Sequence, residues 1–252
     1  MDCFILSAMR EIKKSERLSI IRNAEFLDRR TRDHYRFAPD KTSVIAEIKK
    51  SSPSGTINPS VSPKLQAATY QNGGAAAVSV LTDANFFSGS YKDLASVASE
   101  INIPVLCKEF IYYTEQIDLA YLCGADLVLL IAQSLTFNEL ESLHHYALEK
   151  NMQTIIEINK TEEISRVMML DPEIVMVNNR DLNTLEIDIE KGIEVLKSVP
   201  DTCLRISASG IYSKDDINHI KQVTGVTTFL VGSSIMKSGD PAKMIGELTD
   251  VD

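Results

Sequence analysis

The chain has 252 residues and a formal net charge of −9, with 44% of residues hydrophobic and 24% charged. That composition supports a sizeable core and excludes both a disordered chain and a disulfide-stapled mini-protein. The acidic surplus argues against a nucleic-acid partner, and no apolar run approaches the ~20 residues of a membrane span.

From the first residue, MDCFILSAMREIKK carries too short an apolar stretch for a secretory signal. Residues 1–42 read as mostly helical and charged, an extension that caps the rest of the fold. Eight short β-rich apolar runs come next: SVIAEI (43–48), AAVSVLT (76–82), IPVLCKEF (103–110), DLVLLIA (126–132), QTIIEI (153–158), IVMVNN (174–179), CLRISA (203–208) and TTFLVG (227–232). Several are apolar on both faces, as buried parallel strands are. Segments of helical period separate them, among them TEQIDLAYLC (114–123) and LTFNELESLHHYALEKN (135–151). The repeat of roughly 20 to 30 residues is the length of a βα unit. Three joints, YQNGGAAAVSV, YLCGADLVLLI and VTGVTTFLVG, end a helix at glycine and begin the next strand at once. This pattern predicts an α/β protein: one (β/α)8 TIM-barrel domain over residues 1–252, with 1–42 as its N-terminal helical extension. A doubly wound open sheet is the alternative, weakened because no G-x-G-x-x-G comes after the first run.

Barrel chemistry gathers where strands end. The first run ends in Glu47 and Lys49, followed by Ser51-Ser52-Pro53-Ser54-Gly55; the third ends in Lys108 and the fifth in Glu157. The sixth ends in Asn178, Asn179 and Arg180, the seventh in Ser207, Ala208, Ser209 and Gly210, and the eighth in Gly232, Ser233 and Ser234. Charges within apolar strands are costly unless paired or functional. Any one of them reads equally as a structural ion pair, but Glu47, Lys49, Lys108 and Glu157 all at one end point to an acid–base cluster. Mutual pairing would keep both carboxylates ionised. Neighbouring ammonium groups and partial burial are each expected to lower a lysine pKa and make a usable acid near neutral pH.

Ser209-Gly210 and Gly232-Ser233 sit where barrels build anion sites from backbone N–H groups, with Ser52 completing the cradle. A phosphorylated small molecule is therefore the expected ligand. Phe86-Phe87 and Phe110 fall on the same face, where they either stack on an aromatic ligand or anchor their loops. His34, His144, His145 and His219 lie away from the strand ends, so no histidine base and no metal cluster is expected. Cys3, Cys107, Cys123 and Cys203 are far apart with no C-x-x-C and read as reduced thiols of a cytoplasmic protein.

Taken in order, VIAEIKKSSPSG, SVLTDANFFSGS, VLCKEFIYYTEQIDLAYLCGADLVLLI, IIEIN, VNNRDL, ISASGI and FLVGSSIMKSGDP resemble the indole-3-glycerol phosphate synthase family, from about Val44 to Pro241. The resemblance implies a lyase (decarboxylase) of tryptophan and hence aromatic amino-acid biosynthesis. Its substrate would be 1-(2-carboxyphenylamino)-1-deoxyribulose 5-phosphate, closed to indole-3-glycerol phosphate with loss of CO2 and water and with neither metal nor cofactor. It implies that Lys108 is the general acid, that Glu157 and Glu47 remove protons, and that Lys49 holds the substrate carboxylate or acts as second acid. Asn178 and Arg180 would orient hydroxyl and anionic groups, and Ser209 would stand beside the reacting portion. Ser52, Gly210, Gly232 and Ser233 would surround the phosphate, with Phe87 and Phe110 flanking the anthranilate ring. Other tryptophan-pathway enzymes are the candidate protein partners.

The chain departs from the family at Ala208, where a glutamate typically precedes S-G-I. Smaller departures are Glu109 for aspartate and Val177 for glycine. The loss at Ala208 leaves open a paralogue with weak or no synthase activity, or another phosphosugar enzyme on the same barrel.

Overall fold

Each of the eight apolar runs forms a strand in the computed structural model, which describes residues 4–25, 33–52 and 55–250. The strands are β1 (Ser43–Ile48), β2 (Ala77–Leu81), β3 (Val105–Lys108), β4 (Leu127–Ile131), β5 (Gln153–Ile158), β6 (Ile174–Asn178), β7 (Leu204–Ala208) and β8 (Thr228–Val231). All pair in parallel and in chain order, and β1 pairs with β8, so the barrel closes. Closure rules out the open-sheet alternative and leaves no strand edge unpaired. Cys3, and Pro53 and Ser54 of the turn after β1, lie outside the described residues.

Alternation along each strand builds two apolar layers. Ile45, Leu106, Leu127, Leu129, Ile155, Met176, Ile206 and Leu230 point inward and fill the barrel. Val44, Ala46, Val128, Leu130, Ile156, Val175 and Phe229 point outward against the helices. Because successive side chains alternate, a residue two places after an inward apolar one also points inward. That rule decides where the strand-end residues go.

The helices are α1 (Phe4–Glu25), α2 (Pro63–Asn72), α3 (Ala84–Phe87), α4 (Tyr91–Ala98), α5 (Thr114–Leu122), α6 (Phe137–Glu149), α7 (Ile164–Met168), α8 (Ile189–Ser198), α9 (Lys214–Thr224), α10 (Ser233–Lys237) and α11 (Pro241–Thr249). At the three expected joints Gly74, Gly124 and Gly225 have φ of +87°, +92° and +72°, the left-handed region that glycine enters without penalty.

The N-terminal extension touches both ends of the barrel. On α1, Arg10 bonds Glu139 (2.7 Å) and the Ser134 carbonyl (2.6 Å), and Arg17 bonds Glu115 (2.6 Å), all beyond the C-terminal ends of β3 and β4. At the opposite end Phe37 is buried with the inward layer, its N–H donating to Gln153 Oε1 (2.7 Å) at the start of β5. Helix α1 thus lies at the mouth of the barrel and Phe37 closes its floor.

Candidate active site

Strand parity gathers the charged residues. Glu47 and Lys49 come after inward Ile45, Lys108 after Leu106, Glu157 after Ile155, and Asn178 after Met176. All five line one cleft at the C-terminal end of the barrel, together with Phe87, Phe110, Arg180, Ala208, Ser209, Gly210, Gly232 and Ser233. Ser52 is the expected site residue not among them. It stands on a short hairpin, Ser51–Ser52 against Gly55–Thr56, with its hydroxyl donating to the Gly55 carbonyl at 3.3 Å.

Glu47 is the centre of the cluster. Its carboxylate lies 2.9 Å from Lys49 Nζ through Oε1 and 3.6 Å from Lys108 Nζ through Oε2. Burial pushes the Glu47 carboxyl up, but the two ammonium groups outweigh it and hold it below its ordinary value. Lys108 responds in the opposite direction to that expected from sequence. Burial lowers its pKa, yet the charges of Glu47 and Glu157 win and raise it above the ordinary lysine value. The expectation of a lysine with a lowered pKa is therefore corrected: two carboxylates face Lys108, and they keep it protonated in the free protein. Lys108 is a charged ammonium in the cleft.

Glu157 is not ion-paired with either lysine in this arrangement. Its Oε1 accepts from Asn178 Nδ2 (3.0 Å), and its buried Oε2 accepts no hydrogen bond from the described residues. Asn178 is in turn held by others: its Oδ1 accepts from Ser209 Oγ (2.9 Å) and from the Arg180 N–H (3.1 Å). The tips of β5, β6 and β7 are thus one hydrogen-bonded unit. Ser209, at φ +72°, is a non-glycine residue in the left-handed region, so the turn it opens is held against a local cost of about 1 kcal/mol.

Gly210, Gly232 and Ser233, with the start of α10, line the side of the cleft where an anion is expected. Gly232 lies close to Glu47: a Cβ there would stand 2.8 Å from Glu47 Oε1 and 3.2 Å from its Cβ, so a side chain at this position would shift the carboxylate. The aromatic rings of Phe87, on α3, and Phe110, after β3, face each other across 6.2 Å between centroids. The Arg180 guanidinium is turned into its own loop, Nη1 donating to the Leu185 carbonyl at 2.7 Å, so it braces the cleft wall.

Ala208 lies inward between Asn178 and Leu230 in the register and is buried in the cleft wall. The two smaller departures point the other way. Val177 packs with the outward layer, and Glu109, next to Lys108, turns outward to bond with Lys13. Sequence reasoning missed the apolar lining. Leu81, Leu129, Ile131 and Leu230 could have been found by strand parity. Leu182, Ile187 and Tyr212 could not, because loop conformation brings them in. An antiparallel bridge between Arg180 and Ile187 folds the loop after β6 back over the cleft.

A closed parallel barrel whose C-terminal mouth holds a cleft with ion-paired lysines and a glutamate, glycine–serine turns and two phenylalanines has the architecture of a barrel enzyme. Residues 6–248 match the family described as indole-3-glycerol phosphate synthase. Relatives bearing that name are 44% identical over 198 residues in Bacillus cereus (78% of each chain) and 44% over 203 residues in Bacillus mycoides (80% of each). The chain belongs to the indole-3-glycerol phosphate synthase family. Among solved structures, a 3-hexulose-6-phosphate synthase aligns with a TM-score of 0.67 at 14% identity, covering 82% of this chain and 98% of that one. That likeness is one of fold.

Proposed function

We propose that the chain, acting as one barrel unit with its N-terminal extension, converts 1-(2-carboxyphenylamino)-1-deoxyribulose 5-phosphate to indole-3-glycerol phosphate. The observation that carries this reading is the convergence of Lys108, Lys49, Glu47 and Glu157 in one cleft with two facing phenylalanines and two glycine–serine turns. Each part matches a part of the substrate: backbone N–H groups for the phosphate, rings for the anthranilate, ammonium groups for the carboxylate and carbonyl.

Lys108 donates a proton to the ribulose carbonyl oxygen as the carboxyl-bearing ring carbon attacks the carbonyl carbon, forming the new carbon–carbon bond. CO2 leaves with its bonding pair retained in the ring. Lys49, released from the carboxylate once CO2 has gone, then gives the hydroxyl the proton with which it leaves as water, while a glutamate takes the proton from the adjacent carbon. Glu157 is the better acceptor, since Glu47 is tied through both oxygens to ammonium groups and Glu157 Oε2 is unencumbered by the described residues. Glu47 organises the two lysines, and Lys49 holds the substrate carboxylate. No histidine lines the cleft, so this proton traffic falls to lysine and glutamate. The reaction uses general acid–base chemistry supplied by these side chains.

Incubation with that substrate should generate indole fluorescence; a purified, folded chain that produces none overturns the assignment. Ala208 gives the assay a second arm. A carboxylate there would face the cleft beside Asn178, and such a partner is worth on the order of 1–3 kcal/mol at the transition state, or about 10- to 100-fold in rate. Ala208→Glu is therefore expected to raise kcat or leave it unchanged. A large fall in kcat would show a cleft rebuilt around a small side chain.

A further inference from the structure

We propose that Lys13 of α1 is a positioning residue for the aromatic wall and, through Glu109, for the tip of β3 that carries Lys108, so that the N-terminal helix sets the ring site. The proposal rests on the ring-binding role proposed for Phe87 and Phe110.

Lys13 is the buried lysine of an otherwise charged helix surface, its side chain 4% exposed. Its ammonium lies 3.0 Å from Asp83 Oδ2, 3.2 Å from Glu109 Oε1 and 3.2 Å from Glu16 Oε2. Asp83 and Glu109 are both buried, their side chains 1% exposed. Asp83 does not line the cleft and Glu109 lines it beside Lys108; each holds a backbone N–H, that of Phe86, one residue before Phe87, and that of Phe110. Asp83 caps α3, its Oδ1 accepting from the Phe86 N–H at 2.7 Å, and α3 presents Phe87. Glu109 Oε1 accepts from the Phe110 N–H at 2.8 Å, while its Oε2 accepts from Thr82 Oγ1 at 2.9 Å. One cation therefore joins the two carboxylates that orient the two facing rings.

The physical reason lies in the charges. Two carboxylates sharing a buried site repel, and one of them is driven to bind a proton unless a cation stands between them. Burial pushes the Glu109 carboxyl up, and Lys13 opposes that push. Burial also works against the Lys13 charge, but Glu109 and Asp83 outweigh it and hold the ammonium above its ordinary value. Without Lys13 the two acids separate or neutralise, and the hydrogen bonds that aim Phe87 and Phe110 change with them. The anion cradle on β7 and β8 has no member in this network, so its affinity should not change with them.

The test uses the full chain and two separate probes, 2-aminobenzoate for the ring site and inorganic phosphate for the cradle, titrated into the wild type, Lys13→Met and Lys13→Arg. Coupling among groups in one buried network commonly spans this range, so Lys13→Met should weaken 2-aminobenzoate binding about tenfold or more, keep phosphate affinity within about twofold, and lower kcat/KM chiefly through KM. Lys13→Arg, which keeps the cation, should restore ring affinity to within about threefold of wild type. The proposal is overturned if ring affinity in Lys13→Met stays within about twofold of wild type, if ring and phosphate affinities fall together, or if the wild type shows no ring binding. Should Lys13→Met fail to fold, the paired Lys13→Gln/Glu109→Gln variant, which leaves less uncompensated charge, is held to the same criteria. A wild type that turns over no substrate yet shows the split between the two probes would sink the synthase assignment and leave the role of Lys13 standing.

Discussion

Lys108→Ala is expected to leave the fold intact and to lower kcat about 10²- to 10⁴-fold, the range a positioned general acid supplies. The side chain ends an inward-facing strand, 3.6 Å from Glu47, and is the group held protonated by two carboxylates. Nothing else in the cleft duplicates that position, because Lys49 stands on the other oxygen of Glu47 at 2.9 Å. Stability should change little, since Glu47 keeps Lys49 as its counterion. Near-normal indole formation by Lys108→Ala would remove Lys108 from the mechanism. The alkaline limb of the wild-type rate adds a check. A group with a raised folded pKa stays protonated up to that value, so activity that depends on Lys108 as an acid should persist to above 10.5 and fall beyond it. An alkaline limb below the ordinary lysine value would contradict the electrostatics described here.

Glu47→Gln is expected to cost both rate and stability. It leaves two ammonium groups against a neutral amide in a buried setting, and breaking such a pair costs about 3 kcal/mol. For a chain of this size that corresponds to a fall in Tm of roughly 6–12 °C. The rate should fall about 100-fold or more, as Lys108 loses its principal anchor. The pH dependence has a defined sign on each side. Glu47 has a lowered folded pKa, so its contribution is present above the ordinary carboxylate value of 4.5 and is lost as pH falls through the folded value. Lys108 has a raised one, so its contribution is full below 10.5 and is lost as pH rises through the folded value. In Glu47→Gln both losses shrink, and Lys108 deprotonates at lower pH than in the wild type. Unchanged thermal stability across pH 3 to 11 would refute Glu47 as the hub of the cluster.

The consequences of the two variants differ because the cluster is asymmetric. Glu47 faces both cations, while Glu157 is tied to Asn178, which Ser209 and Arg180 hold in turn. A hydrogen-bonded carboxylate with one oxygen available suits proton removal; a carboxylate clamped by two ammonium groups suits their placement.

Much of this was readable from the amino acids. The run QTIIEI is β5 over the predicted residues, and SVIAEI is β1, because a stretch apolar on both faces has few other folds open to it. Parity then sends Glu47, Lys108 and Glu157 inward without reference to coordinates, since their strand neighbours two places back are core residues. Ser52 was not legible in the same way: it sits beyond the strand, where no periodicity constrains direction, on a short hairpin outside the residues that line the cleft.

What the sequence determined by itself is the barrel and which charged side chains turn into it at the C-terminal ends of the strands, because both arise from short-range alternation and from repeat length. Only the tertiary structure decided which charges pair, that Glu47 and Glu157 together raise rather than lower the pKa of Lys108, and that Lys13 reaches the underside of the aromatic wall from 70 residues away along the chain. Those outcomes depend on distances of a few ångströms between side chains from separate strands and helices, and Coulomb energy changes steeply at such range in a buried site while sequence separation carries no information about it.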